Sequence, residues 1–247
     1  MSKIVSRTLD FLELFAERRR PLSLSEISRM LDVPVSSCHD VLQALQERGY
    51  VYELAPRAGY YPTLRLLDIA KTIANHDPVV MRADTVLRAL RDVTDESVLL
   101  AKASGMTATY LLSQEPSHPL RFTVVIGQSV RNLHATSAGK ALLSTLDEAT
   151  LDAFLKTEKL ATLTDKTITT KAALKAEIAA GRARGWFSNI EESQPGVVTL
   201  SAPFAWNAAT YIVTIAGPAS RIGPRIESAA AHLLEACQDL EMRPVTA

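Results

Sequence analysis

The chain has 247 residues, 47% of them hydrophobic, enough for one large or two modest domains with their own cores. Lys plus Arg and Asp plus Glu number 27 each, so the chain is neither an acidic nor a basic tail, and its charge balance specifies no partner. Up to residue 75 there are 10 basic and 9 acidic residues, and beyond it 17 and 18; this excludes a non-specific DNA coat but not a site-specific reader. The two cysteines, Cys38 and Cys237, lie far apart and allow one disulfide at most. The start, MSKIVSRTLDFLELF, has no cleavage-like site, and no run of 18 apolar residues occurs, so the expectation is a cytoplasmic protein without a membrane span.

Ile4, Thr8, Phe11, Leu12 and Phe15 recur at helical spacing and predict a helix over roughly 3–17, with Ser2 as its cap. Arg18, Arg19 and Arg20 follow, and Pro21 stops it. The arginines suit either a solvated helix end or a phosphate contact. Ser23 precedes Glu26 at capping-box spacing, and Leu24, Ile27, Met30 and Leu31 share a face, giving a short helix over about 24–31. Asp32-Val33-Pro34 turns the chain, and Ser36 or Ser37 caps a third helix that buries Val41, Leu42 and Leu45 and ends at Gly49. Its exposed side would carry Val35, Ser36, Ser37, His39, Asp40 and Gln43, with Cys38 partly inward.

A short helix that positions a second one is the layout of a helix-turn-helix, whose second helix enters the major groove. Ser and His donate to phosphates, Gln reads adenine edges, and Asp40 accepts from a cytosine amino group or pairs with an arginine. VYEL and GYYP then flank APRAG, a hairpin with Arg57 at its tip. This is the wing of a winged module, and Arg57 is the candidate for the backbone or minor groove. Leu64, Leu67 and Ile73 mark a linking helix over 63–75.

The second part begins with a helix over 79–93. Strand-like stretches follow at 97–103, 108–114 and 122–127, then a helix from Ser137 and helical patterns at 147–156 and 170–184. Strands at 186–190, 197–204 and 210–217 and a helix over about 224–240 complete the chain. Antiparallel strands with helices on the faces make an α+β sensor-like domain. In HATSAGKALL, Thr136 or Ser137 caps the helix, and Ala138 and Gly139 leave its first N–H groups approachable, a natural seat for a carboxylate. Lys140 follows no GxxxxGK pattern, so a nucleotide loop is not expected. Five scattered histidines show no metal-ligand spacing, and Glu191 and Glu192 are adjacent, either facing opposite ways on a strand or lying in the loop after it. No catalytic group, metal or cofactor is expected. Trp186 and Trp206 read as core or pocket wall.

The chain resembles the IclR-type family of bacterial transcriptional regulators over nearly its whole length. SRTLDFLELF, LSLSEISRMLDVPVSS and LQALQERGYV carry the resemblance at the start. LHATSAGKALLS, LTDKTIT, RARGWFSNIEESQPGVVTLSAPF and TIAGP carry it later, in the right order. The resemblance implies a winged helix-turn-helix over 1–62, a linker helix over 63–77 and a GAF-like effector domain over 78–247. It implies a homodimer or homotetramer on double-stranded promoter DNA, controlled by a small organic acid. The DNA-facing candidates are Lys3, Arg7, Ser23, Ser36, Ser37, His39, Asp40, Gln43 and Arg57.

The acid would sit at the start of the HATSAGKA helix, beside Ser137, Ala138 and Gly139. Members that bind glyoxylate-like acids often have aspartate where this chain has Asn189, cysteine at Thr199 and serines at Thr214 and Ala216, with Val197 as an apolar wall. Met106 and Tyr110 are further wall candidates. These departures favour an aromatic or larger acid over glyoxylate, and with it a catabolic operon. Many members also carry basic residues at Val35 and Asp40, which bears on DNA affinity rather than fold. Two rival readings are a metabolic enzyme with a vestigial DNA-binding-like end and a sensor acting through protein partners.

Overall fold

The computed structural model describes residues 3–55 and 58–242. The expected cap at Ser2 and the wing-tip Arg57 lie outside the described residues, as does the side chain of Lys3. The chain divides into two compact units at Asn75/His76.

The first unit is built from α1 (Lys3–Arg18), α2 (Leu24–Leu31), α3 (Val35–Glu47), the hairpin β1 (Val51–Glu53) and β2 (Tyr60–Pro62), and α4 (Arg65–Asn75). Its core joins Phe11, Leu14 and Phe15 of α1 to Ile27, Cys38, Leu42, Leu45 and Val51. The buried stripe of α1 is therefore Phe11–Leu14–Phe15; Ile4 is exposed and Leu12 half-buried. Leu22 bridges to Tyr60 through two backbone hydrogen bonds and adds a third line to the hairpin. Asp32 takes a left-handed conformation at the end of α2, and α3 starts at Val35 directly after Pro34, with no side-chain cap. Neither Ser36 nor Ser37 caps it, because proline already fixes the entry dihedral and both serines fall inside the first turn.

The capping box at α2 is complete. Glu26 N–H donates to Ser23 Oγ at 3.3 Å, and Glu26 Oε2 accepts from Ser23 N–H and Ser23 Oγ at 2.9 Å each. Arg20 adds a hydrogen bond to Glu26 Oε1 at 2.8 Å.

The second unit comprises α5 (Pro78–Thr94), β3 (Ser97–Ser104), β4 (Thr107–Gln114), α6 (Ser137–Ser144), α7 (Glu148–Thr157), α8 (Lys171–Arg184), β5 (Phe187–Ile190), β6 (Val197–Trp206), β7 (Ala209–Pro218), a one-turn α9 (Ala219–Ile222) and α10 (Ile226–Met242). The sheet is antiparallel, in the order β4-β3-β7-β6-β5. On its outer face Val98, Leu100, Val198, Leu200, Val213 and Ile215 meet Leu87 and Leu90 of α5 and Leu233 and Cys237 of α10. On its inner face lies α6, which is backed in turn by α7 and α8 through Leu143, Leu151, Leu155, Leu174 and Ile178. Both tryptophans are buried in the outer core, and both cysteines are free thiols.

One expected strand is absent: 122–127 forms no ladder. The outer edge of β4 is met instead by 127–130, through Gly127 N–H to Tyr110 O, Tyr110 N–H to Gln128 O and Val130 N–H to Ala108 O. Val125 and Ile126 remain exposed, so their apolar pattern does not report burial.

The bonds from Ser23 and Arg20 hold the Glu26 carboxyl down to about 2 from its ordinary 4.5. A depressed carboxyl stabilises the fold above its ordinary pKa, and that contribution is lost as pH falls through the folded value. The melting temperatures of the wild type and Glu26→Gln should therefore differ at neutral pH and converge between about pH 4.5 and pH 2. A constant difference across that window would contradict the assignment.

Candidate functional site

The first unit presents two surfaces. Cys38, Leu42 and Leu45 point α3 into the core, which turns Ser36, His39, Asp40 and Gln43 outward at i, i+3, i+4 and i+7. His39 Nδ1 lies 3.9 Å from Asp40 Oδ1, and Gln43 Nε2 donates to Glu47 Oε1 at 2.9 Å. Ser37 and Asp40 also border an apolar groove of about 580 Å³ between α1 and α3, with Arg7, Ile4, Thr8, Leu12, Val41, Ala44 and Leu66. Arg7 is thereby brought beside the α3 candidates. Ser23 is not: its hydroxyl is committed to the capping box and offers no spare donor without breaking it.

In the second unit the inner face of the sheet is lined with hydroxyls. Register aligns Asn189, Thr199 and Ala216 across β5, β6 and β7. The next row on that face is Phe187, Ser201, Thr214, Leu99 and Ser113. Thr136 caps α6, accepting from Gly139 N–H at 3.2 Å. This leaves Ser137 on the first turn, aimed at the sheet. Ser137 Oγ shares hydrogen bonds with Thr199 Oγ1 at 2.6 Å and Ser201 Oγ at 2.7 Å, and Ser201 Oγ with Thr214 Oγ1 at 2.7 Å. All four residues are buried. Ser113 Oγ is buried with no hydrogen-bond partner among the described residues. A buried hydroxyl without a partner calls for one, from a ligand or an ordered water.

The structure thus gathers Ser137, Thr199 and Thr214 with Ala138 and Ala216, and adds Ser201 and Ser113. Sequence reasoning missed both; period-two alternation from Thr199 pointed to Ser201. Tyr110 is half-buried in the apolar cluster that includes Ala138, and burial pushes its phenol pKa up. Met106 is no wall: it is exposed in the β3–β4 turn. Val197 faces a surface cavity of about 380 Å³ bordered by Leu120, Phe122, Pro195, Gly217 and Pro218. Asn189 does not present its amide to a ligand. Its Oδ1 accepts from Glu192 and Ser193 N–H at 2.7 and 3.2 Å, and its Nδ2 donates to Ser193 Oγ at 2.7 Å. Glu191 and Glu192 lie in the turn after β5, Glu191 paired with Lys166 and Glu192 with Lys140.

Gly139 is required for a reason other than open amides. A Cβ there would sit 2.3 Å from Leu133 Cα and 2.4 Å from Leu133 O, both backbone atoms. Among the described residues no group of three His, Cys, Asp or Glu is placed to hold a metal ion, and no helix is long and apolar enough to cross a membrane.

Two family descriptions match this chain: "IclR helix-turn-helix domain" over residues 4–55 and "Bacterial transcriptional regulator IclR C-terminal" over 71–242. The chain belongs to the IclR family of bacterial transcriptional regulators. It is 30% identical to the HTH-type transcriptional regulator BhcR of Paracoccus denitrificans over 242 residues, covering 96% of this chain and 86% of that one. Among solved structures, a transcriptional regulator of Rhodococcus sp. RHA1 superposes with a TM-score of 0.78 at 26% identity, over 98% and 97% of the two chains. An IclR homologue of Microbacterium hydrocarbonoxydans shares the fold, with a TM-score of 0.75 at 18% identity over 97% and 98%. The fold expected from sequence, a helix-turn-helix unit followed by an α+β effector domain, is the fold of this family.

Gly139→Ala should destabilise the second unit by about 1–3 kcal/mol, since the clash is with backbone and cannot be relieved by a rotamer change. Urea denaturation checks this, and a neutral substitution would refute the packing argument.

Proposed function

We propose that this chain is a one-component regulator that binds promoter DNA as a homodimer and is controlled by a small organic acid with an aromatic body. In this reading residues 1–62 read DNA, 63–77 link, and 78–247 sense. The protein is a regulator rather than a metabolic enzyme. The observation that carries it is the Thr199–Ser137–Ser201–Thr214 hydroxyl chain at the start of α6. Hydroxyls that satisfy one another can turn to donate to a carboxylate seated at the helix start, where the dipole favours negative charge. The flanking groups, Tyr110, Leu99, Ala138 and Ala216, supply an apolar surround suited to a ring. The Microbacterium neighbour was solved with 4-hydroxybenzoate, which recommends that acid as the probe.

On the DNA side, Ser36, His39, Asp40 and Gln43 form the reading face, with Arg7, Lys3 and Arg57 as backbone contacts. Val5 and Leu9 on α1 and Leu67 and Ile73 on α4 are apolar and exposed, which supports burial against a second copy.

Calorimetry with 4-hydroxybenzoate tests the sensor half. Ser137→Ala should weaken binding by about 10–100-fold, the range for losing a hydrogen bond to a charged group, with promoter affinity unchanged. Unaltered binding would remove the carboxylate from the start of α6. For the DNA half, Arg57→Ala should lower the slope of log affinity against log salt by about 1, whereas Gln43→Ala should relax discrimination at one base pair by about 1–3 kcal/mol. Leu9→Glu should shift the protein to monomer in sedimentation and abolish tight promoter binding; a dimer that persists would place the interface elsewhere.

A further inference from the structure

Lys140 lies one turn beyond Ser137 on α6 and is almost wholly buried, at 1% exposure. Its ammonium donates to the Ser188 carbonyl at 2.9 Å and to Glu192 Oε1 at 2.5 Å. Glu192 is 8% exposed, and its Oε2 has no hydrogen-bond partner among the described residues. Burial pushes its carboxyl pKa up, against the opposing pull of Lys140. Two charges taken out of water are costly, and apolar side chains of similar volume would join the same elements at no greater cost. The pair differs from such packing in being directional: it admits one placement of the two elements.

The element that Lys140 grips is the 191–196 turn. It is held elsewhere too. Asn189 caps it, Thr167 Oγ1 donates to Glu192 O at 2.6 Å and Thr164 Oγ1 to Glu191 O at 2.8 Å. Glu191 sits at φ +61, a left-handed conformation that a non-glycine residue holds only under constraint, and its Oε1 accepts from Gly196 N–H at 2.8 Å. Gln194, Pro195, Gly196 and Val197 then form one wall of the 380 Å³ cavity. Lys140 links this wall to the helix whose first residue joins the hydroxyl chain.

We propose that the Lys140–Glu192 ion pair is a positioning strut that holds the 191–196 turn in register with α6 and thereby sets the affinity of the effector site. The inference rests on the effector-site reading above and deepens it by naming two residues that act without touching the acid. Val197 lies two residues from Thr199 on the same strand face, so a shift of the turn displaces the wall next to the hydroxyl chain.

The test uses the full-length Lys140→Met/Glu192→Leu double variant, since either single substitution leaves a buried unpaired charge. Expected are a melting temperature close to that of the wild type and amide exchange at Glu192, Ser193 and Gly196 about tenfold faster or more. The Kd for 4-hydroxybenzoate should rise by about tenfold, with affinity for upstream DNA unchanged in the absence of acid. A stable double variant with unchanged exchange, or with faster exchange and an unchanged Kd, overturns the proposal. A wild type that does not bind 4-hydroxybenzoate contradicts the aromatic-acid reading instead, and the exchange arm then decides the strut. Should the double variant fail to fold, Glu192→Asp retracts the carboxylate by one methylene with its charge kept, and the same two readouts apply.

Discussion

Helix α6 lies close against the sheet because the residues it turns that way are small: Ala138 and Ala141 pack with Ala101, Ala108 and Ile212, while the Leu133 backbone, in the loop before the helix, fills the space a Cβ at 139 would need. The first turn of α6 therefore packs closely enough for a serine, one of the shortest polar side chains, to bond to β6. A larger separation would break both bonds of Ser137 and leave it and Thr199 as buried hydroxyls without these partners, each a penalty of about 1–3 kcal/mol, while Ser201 and Thr214 would keep each other. The close approach also sends Lys140 past the sheet to Ser188 and Glu192. The helix–sheet hydroxyl bonds and the buried ion pair thus both depend on that close approach.

The two faces of the sheet serve different ends. The outer face is aliphatic and closed by α5 and α10, and it supplies the stability of the unit. The inner face trades aliphatic groups for hydroxyls along two cross-strand rows, a choice that costs stability unless they are hydrogen-bonded, as Ser137, Thr199, Ser201 and Thr214 are to one another. The helix-turn-helix unit shows the same division on a smaller scale. Cys38, Leu42 and Leu45 secure α3, while its other side is left short, polar and exposed. That side carries Asp40 and no Lys or Arg, so positive groups must come from neighbouring segments such as Arg7.

Much of this was legible in the sequence where the signal is local. The Ser23–Glu26 box, the helix starting at Ser137 and the strand over 197–204 follow from local pattern alone, and the elements form there, the strand running on to Trp206. What failed depends on distant partners. Residues 122–127 are apolar and β-branched like a strand, yet the edge they would pair with is taken by 127–130. Asn189 looks like a ligand donor until the turn that follows is seen to consume its amide. Gly139 suggested an open helix start, whereas its reason is Leu133. Lys140 and Glu192 are separated by 52 residues, and no periodicity links them. The family resemblance supplied the rest of the candidate site, because it carries long-range pairing that a single sequence does not display.

Control of a promoter by an acid requires that acid binding in the second unit and DNA binding in the first be coupled. The most direct measurement is the affinity of 4-hydroxybenzoate for the free protein and for the protein saturated with its own upstream DNA. Coupling predicts affinities that differ by a factor of about 5–150, matched by the factor through which the acid changes DNA affinity. Equal acid affinities for free and DNA-bound protein would contradict it.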